Sequence, residues 1–339
     1  MKSETFNINL VNVGKSITAA AGDTLFKALH DANIFIPTVC GGKGFCGKCK
    51  VKVFSGNKSS LTDSEKKKLS SDEVAEGWRM SCQAVVESDM DIELPDDTKN
   101  VRLYTAEVIA LGMVCRETRR VRLRLLAPAE MEYLPGAFIL LDIPPAAGSR
   151  LALSRAYSIA TPPSSVNEIE LNVKHVPEGK GSGFVHDVLK PGDKVTFSAP
   201  YSGYPRSSDE NELICVAGGS GISPVLSILR HLKETESRRK IKFFFGVRTC
   251  DDLQYISELR TLEKSMHAFE FFSVVEFPGE NTSKDTIAGR VTDAVIRSVE
   301  DASGCSAYLC GSQGLLEACR TILLERGISE DDIFYDQFF

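Results

Sequence analysis

Cys40, Cys46 and Cys49 stand in one glycine-rich stretch, Cys40-Gly41-Gly42-Lys43-Gly44-Phe45-Cys46-Gly47-Lys48-Cys49, and Cys82 follows in Trp78-Arg79-Met80-Ser81-Cys82-Gln83. Three thiolates on a short loop and a fourth from a distant strand make the ligand set of a [2Fe–2S] cluster. The glycines let such a loop turn its backbone N–H groups toward the sulfurs without Cβ clashes. The common C-x4-C-x2-C spacing has four residues in its first gap, whereas this chain has five. A four-cysteine structural zinc site competes, since Cys46-x-x-Cys49 alone suits zinc. Such sites usually pair two knuckles, and Cys40 and Cys82 form no second one.

Further chemistry sits downstream. Arg155-Ala156-Tyr157-Ser158 combines a guanidinium with an aromatic ring, and Gly179-Lys180-Gly181-Ser182-Gly183 opens a predicted helix. Taken alone, the first reads as an exposed strand and the second as a turn. Gly218-Gly219-Ser220-Gly221-Ile222-Ser223-Pro224 follows a continuous apolar strand, Leu213 to Ala217, and leads into an amphipathic helix. It is not G-x-G-x-x-G, because Pro224 stands where the third glycine would be. The five histidines (His30, His175, His186, His231, His267) form no metal-spaced pair.

The surrounding elements fall into three groups. Residues 4–12 alternate like a strand with residues 15–21 as hairpin partner, and Gly22-Asp23-Thr24 caps a helix that turns Leu25, Ala28 and Leu29 to one side. Lys50 to Phe54, Cys82 to Val86 and Asp91 to Leu94 read as strands, and Thr62-Asp63-Ser64-Glu65 as a capping box. Polar Pro95 to Asn100 is a linker. Short alternating runs at 105–111, 119–125, 138–143, 169–173 and 194–198, separated by Pro/Gly turns, suggest a small antiparallel barrel. From residue 212 apolar strands alternate with helices, the pattern of a parallel doubly wound sheet. The expected class is multidomain α+β and α/β, with domains at 1–97, 98–207 and 208–339.

Composition sets limits. A net charge of −6 leaves no basic footprint for nucleic acid. No apolar run is long enough to span a bilayer, and the first residues hold no export signal. With four of the ten cysteines in the cluster pattern, the other six read as reduced thiols in a cytoplasmic protein.

In order and spacing, these fragments resemble the ferredoxin–NADP reductase superfamily with an N-terminal plant-type ferredoxin of β-grasp type. Residues 1–95 resemble the ferredoxin; Pro135-Gly136-Ala137-Phe138, the Arg-x-Tyr-Ser strand and the Gly-x-Gly-Ser-Gly turn resemble the flavin barrel. The Gly-Gly-x-Gly-x-x-Pro loop and Cys310-Gly311-Ser312, with Ser in place of the family's Pro, resemble its nucleotide domain. The whole looks like reductase components of bacterial dioxygenases. The five-residue cysteine gap and Asp91-Ile92-Glu93-Leu94-Pro95 look more like the F subunit of the sodium-translocating NADH:quinone reductase, without its membrane helix.

The resemblance implies [2Fe–2S], FAD and NADH, with the cluster on Cys40, Cys46, Cys49 and Cys82. It implies Arg155 on the flavin phosphates beside Ala156, Tyr157 stacked on the ring, Ser158 at its N5 edge, and Gly181 and Ser182 around the pyrophosphate. Ser182 could also be a plain helix cap. Gly218, Gly219, Gly221 and Pro224 would take the nucleotide, and Cys310 and Gly311 would lie by the nicotinamide. Phe338, or else Phe339, would cover the flavin face opposite Tyr157. Asp251 and Asp252 after the strand ending at Gly246 would favour NADH by accepting from the ribose 2′-OH, against Arg248, which would favour a 2′-phosphate. A hydride donor, a one-electron cluster and a flavin between them make an oxidoreductase for an external one-electron acceptor: an oxygenase, redox or quinone-reductase component. The alternatives are a non-autonomous subunit of a larger complex, or a reductive activator of a corrinoid or other redox protein. The ferredoxin stretch is nearly neutral, with 13 Lys/Arg against 14 Asp/Glu over residues 1–100. That suits a donor tethered to its partner, which needs no long-range steering.

Overall fold

The computed structural model describes residues 4–338 except 39, 57–58, 99, 145–152, 206–209 and 281. Phe339 lies outside the described residues. By packing, the chain forms two compact units. One comprises Met1–Tyr104, Ile139–Ala156 and Thr196–Tyr201; the other comprises Thr105–Phe138, Tyr157–Val195 and Ser202–Phe339.

The first sheet is mixed, in the order β2-β1-β5-β3-β4, built from β1 (Thr5–Leu10), β2 (Lys15–Ala20), β3 (Lys50–Ser55), β4 (Trp78–Met80) and β5 (Met90–Glu93). β1 alternates, so Ile8 and Leu10 are buried while Asn7 and Asn9 face outward. Helix α1 (Leu25–Asp31) lays Leu25, Ala28 and Leu29 onto the same core, and the Thr24 side chain accepts from Lys27 N as its cap. The Thr62 capping box opens α2 (Asp63–Lys68), and Ser70 makes a second one for α3 (Ser71–Ala75). Cys82 to Val86 is not the strand expected. Gln83 N and Ala84 N both donate to the Met80 carbonyl and close a turn, and β4 takes the strand role just before it.

Glu65, fully buried in α2, holds this region together. Arg79 donates to it twice, from Nε at 2.8 Å and Nη2 at 3.0 Å, and the amides of Thr62 and Met80 donate as well. One carboxylate thus joins the helix beside the cysteine loop to the strand that leads into Cys82.

A six-stranded antiparallel sheet follows in the order β10-β7-β6-β11-β8-β9. Its strands are β6 (Arg102–Cys115), β7 (Thr118–Ala127), β8 (Phe138–Ile143), β9 (Leu153–Ser158), β10 (Glu168–Lys174) and β11 (Lys194–Tyr201). Val121, Leu123 and Leu125 point inward and Arg120, Arg122 and Arg124 outward, the alternation that marks a one-sided sheet. The turn helix α4 (Lys180–Gly183) follows β10.

The third sheet is parallel throughout, β15-β14-β13-β12-β16-β17. It contains β12 (Leu213–Gly218), β13 (Ile241–Val247), β14 (Phe269–Val275), β15 (Thr286–Ala288), β16 (Ser306–Ser312) and β17 (Ile333–Phe338), with α5 (Ile222–Glu234), α6 (Ile256–Ser265), α7 (Val291–Ser298) and α8 (Gln313–Glu325) between strands. Leu213, Cys215 and Ala217 enter one core while Ile214 and Val216 enter the other, which is why β12 reads as an unbroken apolar run. The chain continues from β12 to β13 on one side, and β16 joins on the other. The loop after β12 therefore opens at the switch point where such sheets take ligands. The aromatic tail is β17 itself, paired in register with β16 from Ala307↔Ile333 to Ser312↔Phe338.

Candidate redox and nucleotide sites

The cysteine loop folds around four left-handed glycines, Gly41, Gly42, Gly44 and Gly47, with φ of 65°, 80°, 81° and 71°. This conformation suits glycine and strains other residues. Its sulfurs come in two pairs. Ser81 N donates to the Cys49 carbonyl at 2.7 Å, which brings Cys82 Sγ within 3.2 Å of Cys49 Sγ. A hydrogen bond from Cys46 pairs it with Cys40; together with the amides of Cys46, Phe45 and Lys43 it outweighs burial and brings the Cys40 thiol down to about 4. In the second pair the hydrogen bond from Cys49 lowers the Cys82 thiol. Among the described residues no three His, Cys, Asp or Glu side chains close on a single point. Two pairs of thiolates fit a two-iron cluster, with two cysteines for each iron, better than one tetrahedral zinc. Ser81 is buried with its hydroxyl directed at Cys49, and Gln83 Nε2 reaches to 3.7 Å from Cys82 Sγ.

The loop's other side meets strand β9. A Cβ on Gly41 would lie 2.8 Å from Arg155 Nη1 and 3.2 Å from the Ser154 carbonyl, so the loop backbone packs directly on the Arg155 guanidinium. Arg155 Nη1 donates to the Ser154 carbonyl, and Ser154 Oγ to Asp142. Ala156 and Tyr157 follow on β9, half-buried, and Ser158 is buried at its end.

Ser182 is not a helix cap: Gly179 is the N-cap residue, with no side-chain cap bond. The Ser182 hydroxyl instead accepts from Val176 N at 3.0 Å and reaches the carbonyls of Val176 and Gly179. It ties the turn in which Gly181 sits.

In the glycine loop the three glycines differ. Gly221 has no room for a side chain, because a Cβ would sit 2.5 Å from the Cys310 carbonyl oxygen. Gly218 and Gly311 are both closed by Leu315 Cδ2 at 2.8 Å from the added carbon. Gly219 has φ of 54° and nothing within 4 Å, so its open side is where a ligand can approach the backbone. Pro224 is buried in the first turn of α5. Gln254, buried, donates to the Gly219 carbonyl at 3.4 Å, while its Oε1 has no partner among the described residues, as suits a site completed by a polar ligand.

Cys310 is fully buried, and burial first, then Asp336, pushes its thiol well up, so it stays neutral. Asp336 is the residue the sequence reading missed. It stands opposite Cys310 in the β16–β17 register and accepts a hydrogen bond from buried Tyr308. The signal was an acid two residues before Phe338. That ring is half-buried at the end of β17, against the core of this sheet. Arg248 is exposed above the Phe277 ring, 5.9 Å from its centroid, and Asp252 Oδ2 accepts from Thr249 N and Oγ1, which fixes that carboxylate in its turn.

Three family models match in succession: a 2Fe-2S iron-sulfur cluster binding domain over residues 8–87, an oxidoreductase FAD-binding domain over 98–204 and an oxidoreductase NAD-binding domain over 215–321. In this order the three models make the chain a multidomain oxidoreductase with an N-terminal [2Fe–2S] ferredoxin domain, similar to reductases of the ferredoxin–NADP reductase superfamily. Similar proteins include the F subunit of the Na(+)-translocating NADH-quinone reductase of Mannheimia succiniciproducens, 29% identical over 96% of this chain and 88% of that protein. Its counterpart in Neisseria gonorrhoeae is 28% identical over 97% and 90%. The crystal structure of the Amycolatopsis cytochrome P450 reductase GcoB matches with a TM-score of 0.79 and 27% identity, over 98% of both chains. The ferredoxin reductase of a carbazole 1,9a-dioxygenase shares the fold, with a TM-score of 0.73 over the full length of both at 23% identity. This reductase is an NAD(P)H-dependent flavin and iron–sulfur oxidoreductase, passing electrons from NADH through FAD and [2Fe–2S] to an external acceptor. Among the described residues no helix is long and apolar enough to cross a membrane.

Proposed function

We propose that this reductase prefers NADH, works in the cytoplasm and delivers single electrons to a separate redox protein, such as an oxygenase or quinone-reductase component. The contact of the cysteine loop with Arg155 at Gly41 carries the reading, since it sets the loop against the guanidinium read as a ligand of the flavin phosphates. When bound, the flavin accepts a hydride and releases electrons singly to the iron–sulfur cluster.

The protein's residues have separate tasks. Cys40 with Cys46 and Cys49 with Cys82 would hold the two irons of the cluster. Arg155 offers a guanidinium fork to the flavin phosphates, and the amides around Gly181 and Ser182 serve the pyrophosphate. Tyr157 and Phe338 would hold the flavin ring, and Ser158 would donate a hydrogen bond to it. The loop from Gly218 to Gly221, with Pro224 fixing the first turn of α5, receives the pyrophosphate through the open side of Gly219. Cys310 and Gly311 form the nicotinamide floor, with Asp336 and Tyr308 holding Cys310 in place. A second reading, an electron-transfer component active only in a complex, is favoured by the likeness to the NADH-quinone reductase relatives along nearly the whole chain.

One steady-state experiment separates these readings. The isolated chain should reduce ferricyanide rapidly, with kcat/KM for NADH about tenfold or more above that for NADPH, because carboxylates near the ribose repel a 2′-phosphate. A preference for NADPH would make Arg248 the reader of a phosphate and refute the NADH assignment. Negligible turnover until a partner is added would favour the second reading.

A further inference from the structure

The cluster loop has an outer side. Phe45, directly before Cys46, is 62% exposed, an unusual place to leave a phenyl ring. Lys43 and Lys48 beside it are exposed. A Cβ on Gly47 would come 3.2 Å from Lys68 Cβ, so the end of α2 lies against the loop and sets Lys68 at its rim. Lys66 and Lys67 on the same helix are exposed too, with Lys66 Nζ 3.4 Å from Asp63. Gly41, by contrast, faces Arg155. In a ferredoxin stretch with 13 basic and 14 acidic residues, this is a local gathering of positive charge around one apolar point.

We propose that Phe45 and its collar of Lys43, Lys48 and Lys68 are the docking surface for the electron acceptor, and that the acceptor is a protein with an acidic rim around its redox centre. The inference rests on the reading that Cys40, Cys46, Cys49 and Cys82 hold the cluster. A desolvated aromatic ring inside a charged rim is how short-lived complexes combine affinity with orientation. The rim steers the encounter, and the ring sets the approach to the ligand beside it. Overall neutrality is then compatible with steering, because what a partner meets is the local field.

Two oxidised probe proteins test it: plastocyanin, which is acidic, and cytochrome c, which is basic. Each is titrated calorimetrically into the holoenzyme at about 20 mM and about 200 mM salt, where screening differs most. Plastocyanin should bind about tenfold or more tightly than cytochrome c at low salt, and lose that advantage at high salt. The variant Lys43→Glu/Lys48→Glu/Lys68→Glu should invert the preference. Phe45→Ser should weaken plastocyanin several-fold (about three to ten) without altering the salt dependence, since it removes an anchor and no charge. NADH-driven reduction of each probe should follow the same order.

Preferential binding of cytochrome c, or plastocyanin binding untouched by charge reversal, overturns the proposal. So does sedimentation showing a dimer that Phe45→Ser dissociates, or anionic vesicles capturing the protein while plastocyanin does not, because the occupant is then a second copy or a lipid surface. Should the triple variant lose its cluster absorption, Lys68→Glu alone carries the test, being outside the ligand loop. The titration needs no electron transfer, so it decides the docking question even if iron analysis refutes the cluster ligands.

Discussion

Cys46→Ser should leave NADH able to bleach the flavin while NADH-driven reduction of cytochrome c falls at least about a hundredfold, the loss expected when an essential redox group is removed. The reasoning follows the order of the cofactors. Hydride transfer between nicotinamide and flavin precedes the cluster, so it does not depend on Cys46 as a ligand. In the proposed site Cys46 would serve twice: its sulfur pairs with Cys40, and its amide is among those turned toward the Cys40 sulfur. A serine there keeps the backbone but offers a hard, protonated oxygen where iron needs thiolate. Stopped-flow absorbance for the flavin and steady-state cytochrome c reduction check the two halves separately. Loss of both activities would mean that the loop supports the flavin strand, through Gly41 and Arg155, more than it supports the cluster.

Glu65→Gln should destabilise the ferredoxin region by about 3 kcal/mol or more, the cost of leaving a buried charge without its partner. Arg79 would keep its charge behind β4 with only the Ser59 carbonyl and hydroxyl and a neutral amide beside it. Burial by itself would raise the Glu65 carboxyl, but the hydrogen bonds from Arg79, Thr62 N and Met80 N hold it below the usual carboxylate range. A carboxyl lowered in the folded state contributes its full stability above the unfolded value, about 4.3, and loses it as pH falls through the folded value. The gap between wild type and variant should therefore be constant near neutrality and close under acid. Trp78 is the single tryptophan and adjoins Arg79, so urea unfolding followed by its fluorescence reports on this region alone. Equal urea midpoints at neutral pH would show that the pair adds nothing.

How far the sequence could be read depended on where each constraint lay. The turns of the cysteine loop were legible because so tight a loop needs glycine, and Gly41, Gly42, Gly44 and Gly47 all take the left-handed conformation. The apolar run of β12 was legible because a strand buried on both faces has nowhere to put a polar residue. Glu65 looked like a capping residue and is one, yet its stronger tie is to Arg79, fourteen positions away, which only the fold brings beside it. Asp336 was hidden for the same reason, since parallel register and not sequence distance sets it beside Cys310. The cap offered as an alternative role for Ser182 is not made, because the turn at Val176 takes the hydroxyl. The expected strand at Cys82 gave way to a turn because Cys82 must double back to reach Cys49.

The central claim, that electrons from NADH leave through a [2Fe–2S] cluster held by Cys40, Cys46, Cys49 and Cys82, is tested most directly by one anaerobic experiment. The holoenzyme is mixed with NADH without an acceptor, freeze-quenched along the time course, and examined by electron paramagnetic resonance beside iron and zinc analysis. The account predicts two irons per chain, flavin bleaching first, and then a rhombic signal of a reduced [2Fe–2S] cluster that Cys46→Ser lacks. Zinc in place of iron, or a reduced flavin with no cluster signal at any time, would contradict it.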